Sequence, residues 1–184
     1  IKIRGTGRCV PEKTVTNEDL ARIVDTNDEW ITTRTGIRTR RHCTTETHTD
    51  LCVKAAGDAL ARAGVRPEEI GACIVATVSP DTLVPSAACR LQAALGLPGD
   101  ILCFDLNAAC TGFVYALHTM ECLLNASPRR FGLVVGAEAL SRIVDWTDRS
   151  TCILFGDGAG AAVVECREDW PSIGAVLGSR GDDE

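Results

Sequence analysis

Three strand-length, mainly apolar runs constrain this chain more than anything else in it: Ala72–Ser79, Ile101–Leu106 and Leu133–Ala137. None shows the apolar-polar alternation of a strand with one wet face. Such strands belong inside a parallel sheet covered by helices on both sides. Helical stretches lie around them. Thr49 caps a helix from Asp50 to Ala63 that Gly64 ends, and Ser86 caps one through Leu95 with Gly96 beyond it. Phe113, Leu117, Met120 and Leu124 recur at helical spacing after the second run. Ile1–Val10 alternates and reads as a strand loosened by Gly5 and Gly7, and Ala161–Glu165 and Ile173–Gly178 read as the last strands. The order predicts an α/β fold, a mixed but mostly parallel sheet of about five strands flanked by helices, with no internal linker.

A length of 184 residues fits one domain with a real core, and a hydrophobic content of 45% fits one that buries a face against a partner. No apolar run is long enough to span a membrane, and no signal-like leader is seen at Ile1, so a cytosolic setting is expected. The ten cysteines are scattered without a C-x-x-C pair or zinc-ligand spacing, which fits free thiols in a reducing compartment. A net charge of −6 argues against a nucleic-acid partner.

The chemistry is concentrated at Asn107-Ala108-Ala109-Cys110-Thr111-Gly112-Phe113, between the second apolar run and its helix. Cys110 is expected at or near the first helical residue, where backbone N–H groups lack partners and the macrodipole is positive. A thiolate is stabilised there, and the same N–H groups can hold an oxyanion formed when sulfur attacks a thioester. Small neighbours leave room for a substrate; the competing reading is a cysteine that merely fills core.

Upstream, Thr16 or Asn17 caps a short helix carrying Leu20, Ile23 and Val24, and a second helix starts after Thr26 or Asn27 and stops at Gly36. On the second helix Trp30 and Arg34 share a face, so they can stack a nucleobase and pair a phosphate, or form an ordinary surface pair. Arg38, Arg40 and Arg41 read as a solvated edge strand more readily than as a phosphate patch. His42 and His48 lie in a polar connection without a metal-ligand pattern. Leu140–Thr151 is polar and irregular, and Ser179–Glu184 is a polar tail. Gly156–Gly160 invites a phosphate-loop reading, but no Lys-Ser/Thr follows and a strand comes next. Its glycines are expected to permit close backbone approach near the active site.

The cysteine motif resembles the nucleophile segment of the β-ketoacyl-acyl-carrier-protein synthase III family. Asp25–Arg38, Pro85–Cys89 and Phe155–Ala161 resemble the same family, in order along essentially the whole chain. The resemblance implies the N-terminal half of a thiolase-like condensing enzyme, residues 1–184 forming one domain. It implies that Cys110 accepts an acyl group from acyl-coenzyme A, and that malonyl-acyl-carrier protein then decarboxylates and attacks it. Thr26, Trp30 and Arg34 then hold the adenine and phosphate end of coenzyme A, with Arg149 opposite Trp30 at the mouth. No metal or redox cofactor is implied. Val84 stands where acetyl-selective members carry Phe, in a loop that reaches the partner subunit's pocket of a homodimer, so longer primers are expected. The family's catalytic His and Asn come from the other half. His118, the one histidine on the Cys110 helix, lies roughly 12 Å along the axis at 1.5 Å per residue and reads as a helix-surface residue. The piece alone is therefore expected to self-associate and not to condense. Two other readings stand beside this one: a non-catalytic acyl-coenzyme A binding or assembly domain, and a thiolase-like synthase with other substrates, such as those making hydroxymethylglutaryl-coenzyme A or aryl polyketides.

Overall fold

The computed structural model describes residues 1–181. The strands are β1 (Lys2–Cys9), β2 (Lys13–Thr16), β3 (Thr39–His42), β4 (Ile70–Ala76), β5 (Leu102–Leu106), β6 (Phe131–Ala139) and β7 (Asp157–Glu165). The helices are α1 (Asn17–Leu20), α2 (Asp28–Thr35), α3 (His48–Ala63), α4 (Ala87–Leu95), α5 (Gly112–Asn125) and α6 (Arg149–Cys152). None is long and apolar enough to cross a membrane.

Five strands form one sheet in the order β1-β7-β6-β4-β5. The three apolar runs become β4, β5 and β6, which run parallel, while β7 is antiparallel to both β6 and β1. Four of the five strands therefore point the same way and β7 alone runs back. Both faces are dry, as the missing alternation requires. Cys73, Val75, Leu133, Val135 and Val163 pack beneath α3 and α4, while Ala72, Ile74, Val134, Ala162 and Val164 meet α5 on the other side. Each fully buried aliphatic side chain contributes about 1.5–3 kcal/mol.

Two glycines set the height of α5 on the sheet. A Cβ at Gly132 would lie 2.3 Å from Met120 Sδ, and one at Gly136 would lie 3.2 Å from the Phe113 ring. On the opposite face β1 lies almost in contact with α3, where a Cβ at Gly7 would meet the Ala55 carbonyl oxygen at 2.1 Å.

Outside the sheet, β2 and β3 pair as a two-stranded ribbon, with α1 and α2 connecting them. Together with Cys152 and Ile153 they enclose a third cluster built on Val15, Leu20 and Ile31, against which Trp30 and Trp146 pack.

Local signals placed most helix ends. Asn27 caps α2 through Trp30 N–H and Gly36 closes it at φ 72°; Ser86 and Gly96 bracket α4 in the same way. Several expectations need correction. The long helix begins at His48, because Thr47 and Asp50 form a reciprocal capping box, while the Thr49 hydroxyl donates to Asp81 instead. α1 ends at Leu20, leaving Ile23 exposed in the turn that follows. Arg40 is not on a solvated edge: it is buried, donating to Asn17 Oδ1 and to the Ile153 carbonyl, both at 2.8 Å. The last sheet strand starts at Asp157 and takes in Gly158 and Gly160, two of the three glycines expected to precede it. Gly156 approaches Arg40 and Arg41, and Gly158 approaches Cys9 and Val10, so the close contacts are with the ribbon and β1. Ile173–Gly178 forms no strand; its backbone is held by side chains of α5, with Ile173 N–H donating to Glu121 and the Gly178 carbonyl accepting from Tyr115. The tail expected from Ser179 runs partly outside the described residues.

Candidate active site

Because β1, β4, β5 and β6 share a direction and β7 begins where they end, four connections emerge at one end of the sheet. They are residues 10–12 leading into the ribbon, 77–86, 107–111 and 140–156. The carboxyl ends of the strands in an open α/β sheet are where ligands bind. Here this end collects Cys110, Val84 and Arg149, with the ribbon unit that carries Trp30 and Arg34 continuing from β1.

Cys110 sits in a 3-10 turn, Ala109–Thr111, between β5 and the first residue of α5, just short of the helix itself. It is one of two exposed cysteines, with Cys122. Ala109 before it is the only described non-glycine residue at positive φ, 44°. That left-handed conformation costs an L-residue about 1–2 kcal/mol, and such strain gathers at functional sites. The start of α5 is also unlike the other helices. Thr16, Asn27, Thr47, Ser86 and Asp148 each cap a helix with a side-chain oxygen, whereas no side chain caps α5. Thr111 turns its hydroxyl back to the Ala108 carbonyl at 2.8 Å. The start of this 14-residue helix, beside an exposed thiol, is thus held by backbone alone, with Thr111 and Gly112 N–H bonding the Ala108 and Ala109 carbonyls of the 3-10 turn.

The surrounding loops are tied down by acids that periodicity does not reveal. Asp105, near the end of β5, accepts from Ala87 and Ala88 N–H at 2.7 and 2.8 Å, fixing the start of α4. Glu138 accepts from Val78 N–H at 3.0 Å and from the Thr77 and Ser79 hydroxyls. Asp81 accepts from His48 and Thr49 N–H, the Thr49 hydroxyl and Arg142. Burial pushes the Asp81 acid up, but the bonds from Thr49, Arg142 and His48 outweigh it and hold the group below the usual carboxylate range. Thr77, Val78, Pro80, Leu83, Ser86, Asp105 and Asn107 line a cleft of about 290 Å³ beside the nucleophile motif. Leu83 and Val84 project from its rim, 87% and 86% exposed.

The ribbon unit builds a second cleft, of about 260 Å³, lined by Asn27, Glu29, Trp30, Thr33 and Arg34. The Arg34 guanidinium carbon lies 4.4 Å from the centre of the Trp30 ring and that of Arg149 lies 5.1 Å from it. Arg149 also donates to the Asp25 carbonyl at 3.0 Å, tethering its loop to the start of α2. Trp30, Arg34 and Arg149 are therefore together. Thr26, just before Asn27, has a buried hydroxyl oxygen with no partner. A flat indole with two guanidiniums and a spare hydroxyl can take a planar base and its phosphates. Beneath it, Asn17 donates to Asp28 at 2.7 Å and to the Ile37 carbonyl at 2.8 Å while accepting from Arg40. These two positioning residues were not recognised from the sequence, where Asn17 reads as a cap and Arg40 as surface.

The histidines are elsewhere. His42 is buried with its ring edge-on to Trp146 at 5.4 Å, and His48 is fully buried with Nε2 3.1 Å from the Ala137 carbonyl and 3.0 Å from Thr77 Oγ1. His118 is half-buried with Nδ1 unpartnered, not a helix-surface residue. No cluster of three or more His, Cys, Asp or Glu able to hold a metal occurs among the described residues.

Comparison with known proteins meets this geometry at the same segments. The family model of 3-oxoacyl-[acyl-carrier-protein] synthase III matches residues 104–181, from β5 through the cysteine corner to the end of the described chain. A β-ketoacyl-[acyl-carrier-protein] synthase III of Clostridium acetobutylicum is 51% identical over 181 residues, spanning 98% of this chain and 55% of the relative. The chain belongs to the β-ketoacyl-[acyl-carrier-protein] synthase III family. A member from Xylella fastidiosa is 53% identical over 98% of this chain and 56% of its own length. The crystal structure of the synthase III from Aquifex aeolicus superposes with a TM-score of 0.86 at 50% identity, covering 91% of this chain and 54% of that one. The chain thus spans about half the length of the synthase III relatives it matches, and shares their thiolase-like fold over that span.

Proposed function

We propose that this chain supplies the nucleophile and the coenzyme A platform of the condensing enzyme that starts type II fatty-acid synthesis. Acyl-coenzyme A docks its adenine on Trp30, between Arg34 and Arg149, with Thr26 beside it. The acyl group passes to Cys110: sulfur attacks the thioester carbon, backbone amides at the cysteine corner help to hold the oxyanion, and coenzyme A leaves as its thiolate. Malonyl-acyl-carrier protein then loses carbon dioxide, and its carbanion attacks acyl-Cys110 to give a 3-oxoacyl-carrier protein. The reading calls on no metal or redox cofactor.

Decarboxylation and condensation need proton-handling groups within about 3 Å of the reacting atoms, or one water away. His42 and His48 are buried in contacts of their own and His118 lies roughly 12 Å further along the Cys110 helix, so we assign the His and Asn of this family to the half that this chain does not span. The working enzyme is a cytoplasmic homodimer in this reading. The exposed Val84, smaller than the Phe of acetyl-selective members, makes room for primers longer than acetyl.

The observation that carries the reading is the uncapped start of α5 at an exposed cysteine, on the sheet end that also bears the Trp30–Arg34–Arg149 stack. The test is incubation of the chain with acetyl- and isobutyryl-coenzyme A, followed by mass mapping. A parallel assay measures 3-oxoacyl-carrier protein with and without a separately expressed remaining half. Acylation at Cys110, and condensation only when both parts are present, are expected. Acylation elsewhere overturns the nucleophile, and condensation by this chain alone overturns the assignment of the base.

A further inference from the structure

The ribbon unit carries a further cleft, of about 470 Å³, larger than the two at the candidate active site. Small-molecule sites occupy about 300–1,000 Å³ and pair apolar walls with a few convergent polar groups. Val15, Leu20, Ile23 and Trp146 supply the apolar wall here, and Lys13 and His42 the polar side. The register of the ribbon brings these two together. Lys13 and Val15 stand two apart on one face of β2, and His42 on β3 is the antiparallel partner of Lys13. Directly opposed residues have Cβ atoms about 4.5–5.5 Å apart, so both basic side chains flank one spot.

His42 is 7% exposed, its ring stands edge-on to Trp146, and its buried Nε2 has no hydrogen-bond partner. An unpaired polar atom inside a protein is costly, and a polar group seated against the ring supplies what it lacks. Burial holds the His42 pKa below the usual histidine value, so the ring is neutral at pH 7 and offers a single N–H. The Asp19 carboxylate at the same cleft is already engaged by the Thr16 N–H and hydroxyl and by Arg22. Lys13 is in no ion pair among the described residues. The charge left over is one positive charge above an apolar wall whose outer member, Ile23, is 57% exposed. One cation and one neutral donor match a single negative charge better than a phosphate dianion.

We propose that this cleft binds a medium-chain aliphatic monocarboxylate, its carboxylate between Lys13 Nζ and His42 Nε2 and its chain along Val15, Leu20, Ile23 and the Trp146 indole. The site is separate from the cleft at Trp30, which other residues line. Val15 and Leu20 nevertheless belong to the cluster on which Trp30 packs, so an occupant here also holds that small core closed.

The test is titration of the isotope-labelled chain with hexanoate, octanoate and octan-1-ol, read by amide and side-chain NMR signals. None of the three carries a thioester, so none acylates Cys110. Shifts are expected in β2, α1 and β3 and at the Trp146 indole N–H, and the His42 ring signals move with octanoate. Each buried methylene tightens binding roughly fourfold, so octanoate binds about 16-fold more tightly than hexanoate. Lys13→Gln, at an exposed position, weakens octanoate about fivefold and leaves octan-1-ol unchanged. Ile23→Ser, also exposed, weakens both ligands alike. Shifts centred on residues 77–86 and 105–113, equal octanoate affinity in Lys13→Gln, or no shifts at millimolar octanoate overturn the proposal.

Discussion

Replacing Trp30 with Ala tests the coenzyme A platform most directly. The indole carries Arg34 at 4.4 Å and Arg149 at 5.1 Å, and its ring lines the cleft that is to hold the adenine. Stacking of a base on an aromatic side chain is worth about 1–3 kcal/mol by alanine substitution. At 1.4 kcal/mol per factor of ten, that weakens coenzyme A binding by roughly 5- to 150-fold. The guanidiniums remain, so the phosphates keep partners and binding is reduced without being abolished. Isothermal titration with coenzyme A and with 4′-phosphopantetheine, which lacks the adenylate, separates the parts. Trp30→Ala should lose affinity for the first and keep it for the second, while Trp30→Phe should retain most of both. Because Trp30 also packs on the Val15–Leu20–Ile31 cluster, circular dichroism must first show the variant folded. Unchanged coenzyme A affinity, or an equal loss for both ligands in a folded variant, would refute the stacking argument.

Three further outcomes are expected. Under limiting iodoacetamide, Cys110 should be labelled well ahead of Cys122; both are exposed, but only Cys110 faces the uncapped start of α5, so equal labelling would remove that distinction. Gly7→Ala would place Cβ 2.1 Å from the Ala55 carbonyl oxygen and 2.5 Å from Ala59 N, both backbone atoms. Such overpacking costs about 1–3 kcal/mol, a fall in Tm of roughly 2–12 °C for a chain of this size. Gly160→Ala, which meets nothing within 4 Å, is the control that should melt like the parent. Asp157→Asn should destabilise the fold by about 2 kcal/mol at pH 7, since the carboxylate accepts from Cys43 and Ser141. Burial pushes the Asp157 acid up, but those bonds outweigh it and leave it lowered. Its contribution is therefore complete above the ordinary carboxylate value of about 3.9 and disappears as pH falls through the lower folded value. Denaturant melts of both proteins should converge in that acid window; a gap that widens on acidification would contradict the sign.

What could be read before folding was whatever depends on near neighbours. The unbroken apolar runs placed β4, β5 and β6, and the Asn27–Gly36 and Ser86–Gly96 pairs placed α2 and α4, because a cap is a contact across three or four residues. Errors came where a distant partner decided. Thr49 is a good cap residue, yet Asp81 takes its hydroxyl from 32 positions away. Arg40 sits in a basic run, but the Ile153 carbonyl lies 113 positions along the chain, and with Asn17 it draws the guanidinium inside. Nothing local marks Arg149, whose tether to Asp25 spans 124 residues; only family resemblance brought it to Trp30. The left-handed Ala109 and the bare start of α5 were equally invisible, since alanine and threonine there would suit an ordinary capped turn.

The Val15–Leu20–Ile31 cluster stands apart from the two that sandwich the sheet. A small core with its own ribbon can open while the main layers stay closed, so exchange of amide hydrogens there reports a local and cheaper event than global unfolding. The ligand platform rides on that unit. Coenzyme A bound at Trp30 would slow exchange in α1, α2 and the ribbon by the factor 1 + [L]/Kd, and leave β4 and β6 exchanging at their own pace. Affinity would then be readable amide by amide in one corner of the molecule, with the sheet as the internal clock.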